Sequence, residues 1–152
     1  MLKVGDEAPD FTAQTQHGEV RLSGYRGKKV ALYFYPRDGT PGCTKQACNL
    51  RDNTDTLDSN GIVVLGVSGD SLKSHQNFAS THDLPFPLVS DPEKEIMRMY
   101  GVWGEKKMYG RTFFGVKRTT FLINEEGEIQ HIFKRPKVLH HSEEVIEKAL
   151  GK

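Results

Sequence analysis

Cys43 and Cys48 are the only two thiols in a chain of 152 residues, and four residues separate them in the stretch "TPGCTKQACN". A thiolate is a strong nucleophile and a metal ligand, and two thiols near each other can cycle between dithiol and disulfide. Pro41 and Gly42 disfavour helix directly before Cys43, and helical patterning begins just after it. Cys43 is therefore expected in the first turn of a helix, where unpaired backbone N–H groups and the helix dipole favour an anion such as a thiolate. Thr40, three residues upstream, can place a hydroxyl over the same pocket. The inert alternative for Cys43 is a small buried hydrophobe, a common fate of free cysteines.

The spacing of the two cysteines is chemically informative. On one regular helix they are separated by ~7.5 Å of rise and ~140° of rotation, which puts their Cα atoms ~8.6 Å apart. A disulfide needs a Cα separation below ~7 Å. The two sulfurs can bond only if the first turns of the helix unwind. That argues against a static staple and for a cycle in which Cys43 reacts, the helix opens and Cys48 resolves. A zinc site is poorly supported, because the C-x4-C stands without a second C-x2-C or an H-x3-H pair.

The elements that must hold these residues read as an alternation of strands and helices. "DFTAQTQHGEVRL" forms a hairpin turning at His17-Gly18, and "KKVALYFYP" reads as a buried strand over Val30 to Tyr35. A helix follows Cys43, with Ala47, Leu50 and Leu57 near one stripe and a stop at Asn60-Gly61. "IVVLGVS" is a second buried strand. "SLKSHQNFASTHDL" is a helix carrying Leu72, His75, Gln76 and Phe78 or Ala79 on its inner face. "FPLVS" is a short strand, and a helix is expected from Asp91-Pro92, as N-cap and N1. "RTTFLIN" and "EIQHIF" form a hairpin around Glu125-Glu126-Gly127. "HSEEVIEKAL" is a last helix capped by Ser142. Gly101 to Lys117 reads as a long irregular loop. The order gives an α/β chain with one mixed central sheet, helices on both faces and an N-terminal β-hairpin.

Length and charge narrow the function classes. One ordinary domain over residues 1–152 is expected. Basic and acidic residues number 21 and 20, so neither nucleic acid nor an anionic membrane is called for as a main partner. "FKRPK" (Phe133 to Lys137) is a local basic cluster that reads as a solvated loop. No apolar run serves as a signal peptide or membrane span, so a soluble, cytoplasmic protein is expected. In a reducing compartment two cysteines point to a catalytic or metal role rather than to a structural bridge.

"PRDGTPGC" carries the P-x-x-x-T-x-x-C signature, and the chain resembles the peroxiredoxins, most closely the PrxQ or bacterioferritin comigratory protein branch with its second cysteine five residues on. "GDEAPDF", "VALYFYP", "TPGCTKQAC", "YGVWGEK" and "RTTFLIN" are similar to family segments in family order. The resemblance implies a thioredoxin-like fold and a thiol peroxidase acting on hydrogen peroxide and organic hydroperoxides. It implies that Cys43 is the attacking cysteine, that Thr40 hydrogen-bonds the thiolate and the peroxide, and that Pro41 and Pro36 shape the pocket. Arg118, in "KRTTFLI", matches the family arginine that approaches the thiolate, and Cys48 matches the resolving cysteine. Arg118, Thr40 and the backbone N–H groups near Gly42 and Cys43 would then stabilise charge moving to the departing oxygen. A thioredoxin-like dithiol protein is the implied reductant, a monomer suffices, and no metal, haem or flavin is implied.

Other readings fit less of the sequence. Arg118 alone would pass for a surface ion pair, and Lys117 beside it points to the opposite face. Arg51 fits a helix-surface salt bridge as well as a site. None of His17, His75, His82, His131, His140 and His141 matches a recognised family role, and activation of Cys43 by position and by Arg118 needs none of them; Trp103 reads as packing. The same dithiol would serve a redox sensor or a chaperone-like switch, which peroxide turnover distinguishes. A general disulfide oxidoreductase is disfavoured by the C-x4-C spacing and by the Thr40/Arg118 pair.

Overall fold

Strand β3 (Lys29–Phe34) is apolar from Val30 to Phe34 because both its faces are covered there. In the computed structural model, which describes residues 2–151, Val30, Leu32 and Phe34 pack with Val67, Phe121, Met97 and Tyr100 on one face. Ala31, Tyr33 and Tyr35 pack with Cys43, Ala47, Leu50 and Phe78 on the other. β3 runs parallel to β4 (Ile62–Ser68) and antiparallel to β8 (Thr119–Ile123), so it sits inside a seven-stranded mixed sheet. The strand order is β2-β1-β5-β4-β3-β8-β9. β1 (Thr12–Thr15) and β2 (Gly18–Arg21) are the N-terminal hairpin, β5 (Leu88–Ser90) joins it to β4, and β9 (Ile129–Phe133) closes the far edge.

Helices α1 (Pro41–Asp52), α2 (Thr54–Ser59), α3 (Leu72–His82) and α5 (His141–Ala149) contribute Leu50, Leu57, Phe78 and Val145 to one core. α4 (Glu95–Met99) contributes Ile96 and Met97 to the other. This is the expected mixed sheet with helices on both faces. No helix among the described residues is long and apolar enough to cross a membrane.

Several local expectations are corrected. The helix after Cys43 is two helices: Asn53 Nδ2 donates to Asn49 O and Thr54 Oγ1 to Arg51 O, and these back-bonds end α1 before α2 starts. Gln76 faces solvent, whereas His75, Phe78 and Ala79 are buried as expected. The helix expected from Asp91-Pro92 begins only at Glu95. Lys94 takes a left-handed conformation (φ 60°) first, and the Asp91 carboxylate accepts from the Ile96 and Met97 N–H groups across that turn. Ser142 is not the cap of α5; His140 precedes the helix, and the buried Ser142 hydroxyl has no partner among the described residues. Glu144 orders this entry instead, accepting from the Lys137 N–H and from His141 Nδ1. Burial opposes its charge, but those hydrogen bonds outweigh it and hold Glu144 below the usual glutamate range. The stretch 101–117 is no loop: β6 (Trp103–Met108) and β7 (Arg111–Val116) form a hairpin. Tyr109 and Gly110 both have positive φ (52° and 76°), as a tight two-residue hairpin turn requires.

One glycine fixes the layer under the site. Gly66 lies opposite Tyr33 in the β3–β4 pair. A Cβ there would stand 2.9 Å from Leu88 Cδ2 and 3.0 Å from the Tyr33 ring. Gly66→Ala is expected to destabilise the fold by about 1–3 kcal/mol through overpacking. A lower urea midpoint with an unchanged slope would register it.

Candidate active site

The chain leaves β3 through buried Tyr35, crosses Pro36 to Thr40 and re-enters helix at Pro41, so the site lies at the carboxyl end of an interior strand. Asp38 clamps this crossing. Its carboxylate accepts from Tyr35 Oη (2.6 Å), from Ser74 Oγ (2.8 Å) and from His75 Nδ1 (2.7 Å). Its backbone N–H donates to Asp70 Oδ2 (2.8 Å), which also accepts from Ser68 Oγ. His75 is fully buried and donates from Nε2 to Val89 O. Asp38, Asp70 and His75 bring three ligand-type atoms within 4.8 Å of one another, but those groups are engaged in this network, which ties the loop to β4, β5 and α3.

Helix α1 starts with Pro41 at its first position and Thr40 as N-cap. Thr40 makes no side-chain capping bond, so the first-turn N–H groups of Gly42 and Cys43 are not satisfied by it. Cys43 lies in this turn, as expected, and is 1% exposed. Thr40 Oγ1 donates to Arg37 O (3.0 Å) rather than to the thiol. Pro36 and Pro41 are exposed at the rim, and Thr40, Gly42 and Arg118 are half-buried.

Arg118 immediately precedes β8, whose first residue Thr119 pairs with Phe34. That register sets its guanidinium beside the helix start, where Nη2 donates to Cys43 Sγ at 3.2 Å. Nη1 donates to Gln46 Oε1. Gly42 leaves room for this approach: a Cβ there would stand 3.3 Å from Arg118 Nη2. Lys117 turns away, its neighbour being Gly104 on β6. Cys48 is half-buried on the same helix, and both thiols are free. Arg51 pairs with Asp52 in a helix-surface salt bridge, one of the two readings its position allows.

Gln46 is a residue that sequence reading missed. It is fully buried one turn after Cys43, a spacing that puts both on one helix face. Tyr33, part of the buried β3 run, is a second. Its buried hydroxyl and Gln46 Nε2 are two of the three buried side-chain polar atoms left without a partner among the described residues. Burial first, then the neighbouring Cys43, holds the Tyr33 hydroxyl well above the usual phenol range, so it stays protonated as a donor. A buried thiol thus sits among a guanidinium, helix-start N–H groups and two uncommitted donors, an arrangement suited to a nucleophile that expels an anion.

The model of the AhpC/TSA family matches residues 4–132 of the chain. The chain belongs to that family. Within it, the protein is a peroxiredoxin of the Bcp/PrxQ kind. It is 48% identical over 146 residues to a putative peroxiredoxin bcp of Coxiella burnetii, covering 95% of this chain and 97% of that one. It is 44% identical over 146 residues to peroxiredoxin Bcp of Escherichia coli, covering 95% and 94%. The bacterioferritin comigratory protein of Xanthomonas campestris superposes with a TM-score of 0.90 at 34% identity, covering 98% of each chain. The peroxiredoxin is accordingly a peroxidase, an oxidoreductase on the thioredoxin-like fold described above.

Proposed function

We propose that the protein reduces hydrogen peroxide and organic hydroperoxides through Cys43, with Cys48 as its internal resolving thiol and a thioredoxin-like protein as its reductant. The observation that carries this reading is the 3.2 Å contact between Arg118 Nη2 and Cys43 Sγ at the start of α1. The Cys43 thiolate attacks one peroxide oxygen, the O–O bond breaks, and the sulfur becomes a sulfenic acid while the other oxygen leaves as water or an alcohol. Arg118 and the Gly42 and Cys43 N–H groups stabilise the charge moving along that line. Thr40 has its hydroxyl hydrogen committed to Arg37 O, so its lone pairs face the peroxide and accept the proton of the bound O–H. Pro41 and Pro36 form the rim that keeps bulk water from the sulfur.

The Cys48 thiol then attacks the sulfenic sulfur, water leaves, and the resulting disulfide is reduced by a dithiol partner. Organic hydroperoxides are included because the Xanthomonas campestris protein is described by its alkyl peroxide reduction activity. An internal disulfide needs no second subunit, so a monomer completes the cycle, and a thioredoxin-recycled dithiol suits the cytoplasm. No metal or organic cofactor takes part in these steps.

Peroxide stoichiometry tests the proposal. With thioredoxin, thioredoxin reductase and NADPH, one protein molecule should consume many equivalents of peroxide, whereas a sensor would stop after the first. Arg118→Met should lower the second-order rate constant of Cys43 oxidation by about 10²-fold. An unchanged constant would remove Arg118 from the site.

A further inference from the structure

Cys48 does not stand alone on its helix. His82, in the last turn of α3, holds Nδ1 3.9 Å from Cys48 Sγ, within hydrogen-bond reach for sulfur. The ring is oriented by an edge-on contact with Phe78, at 5.2 Å between centroids. It also forms part of the wall of an open groove of about 470 Å³ that runs from Asp38 and Gly39 along α3. One nitrogen therefore meets the thiol while the ring remains within reach of solvent.

The helix is anchored so that this contact survives opening. Asn49 Nδ2 donates to Leu139 O, and Asn49 Oδ1 accepts from the Ser142 N–H. Leu50 is fully buried, and Arg51 Nη1 donates to His82 O at 2.7 Å. At the first turn Pro41 is exposed and Thr40 provides no side-chain cap, so the hold there is the Arg118 guanidinium on Cys43 and Gln46. In the proposed resolving step, unwinding that begins at Pro41 would carry Cys43 toward Cys48, while the bonds of Asn49 and Arg51 keep Cys48 beside His82.

We propose that His82 is the proton acceptor for Cys48 when it attacks the Cys43 sulfenic acid. This rests on the resolving role of Cys48 given above. With a proton on Nε2, Nδ1 is free to take the thiol proton as the sulfur–sulfur bond forms. The sulfenic oxygen leaves as hydroxide and is protonated to water by the imidazolium, directly or through solvent, so the step balances with no added oxidant or reductant. Arg51, close enough to Cys48 for its charge to be felt, favours the transient thiolate. The other titratable groups around the pair are Asp52 beside Arg51, Asp83 just past α3, and from the sheet Tyr33, which burial keeps protonated.

The test follows a single turnover. Wild type and His82→Gln are mixed with one equivalent of hydrogen peroxide, quenched with an alkylating agent at intervals, and the sulfenic and disulfide forms are counted by mass spectrometry. The rate of disulfide formation relative to Cys43 oxidation should fall about tenfold to 10²-fold at pH 7 in the variant. The deficit should shrink toward pH 9, where hydroxide takes the thiol proton, and added imidazole should restore the rate in His82→Gly. An unchanged ratio across the pH range, or a uniform slowing that imidazole does not relieve, would overturn the assignment. If the wild type formed no internal disulfide at all, the resolving role of Cys48 would fail instead, a distinct result.

Discussion

Cys43→Ser is expected to abolish peroxide consumption, lowering the rate by more than about 10³-fold. A serine hydroxyl is not ionised beside Arg118, and an alcohol attacks peroxide oxygen far less readily than a thiolate. The loss should not come from unfolding. Serine replaces a sulfur that is 1% exposed, and its oxygen can accept from Arg118 Nη2 as the sulfur does. The urea midpoint should therefore stay within the equivalent of about 1 kcal/mol of wild type. Residual peroxide consumption near the wild-type rate would place the reactive thiol elsewhere, and Cys48 is the only other one.

Cys48→Ser separates the first chemical step from the reset. The variant should still consume one equivalent of peroxide, because Cys43, Arg118 and Gln46 are untouched. Turnover with thioredoxin should then stall, since no internal disulfide can form for the reductant to attack. A small external thiol should take over part of the work. Excess peroxide should drive Cys43 onward to the sulfinic form, since the sulfenic acid now persists. Thioredoxin-supported turnover at the wild-type rate in this variant would refute the resolving role. The half-buried setting of Cys48 makes serine a mild change, so stability is not expected to obscure the result.

The parts of the molecule that were legible in the sequence are those that depend on local pattern. The apolar runs of β3 and β4 are buried on both faces, and a run of that kind announces itself. Pro41-Gly42 before a helical pattern fixed Cys43 in the first turn, and alternation around Lys117 and Arg118 separated the two basic side chains. What escaped depends on tertiary partners. The break at Asn53 is made by side chains bonding back to carbonyls, the late start of α4 by a left-handed Lys94, and the entry to α5 by Glu144 rather than Ser142. The β6–β7 hairpin carries Tyr-Gly at its turn in place of the commoner Asn-Gly, and its outward-facing Phe113 and Phe114 blur the alternation. Gln46, the Asp38–His75 clamp and the Cys48–His82 contact join residues brought together only by the fold.

On the proposed reading, the helix whose first turn activates Cys43 also keeps Cys48 from it. Both cysteines lie on continuous α1, where an ideal helix holds their Cα atoms ~8.6 Å apart. Peptide mapping by mass spectrometry of the protein after one equivalent of hydrogen peroxide tests this account most directly. It should find a monomeric product, lighter than the dithiol by two hydrogens, with Cys43 and Cys48 joined in one disulfide. A covalent dimer, or a stable Cys43 sulfenic acid beside a free Cys48 thiol, would contradict it.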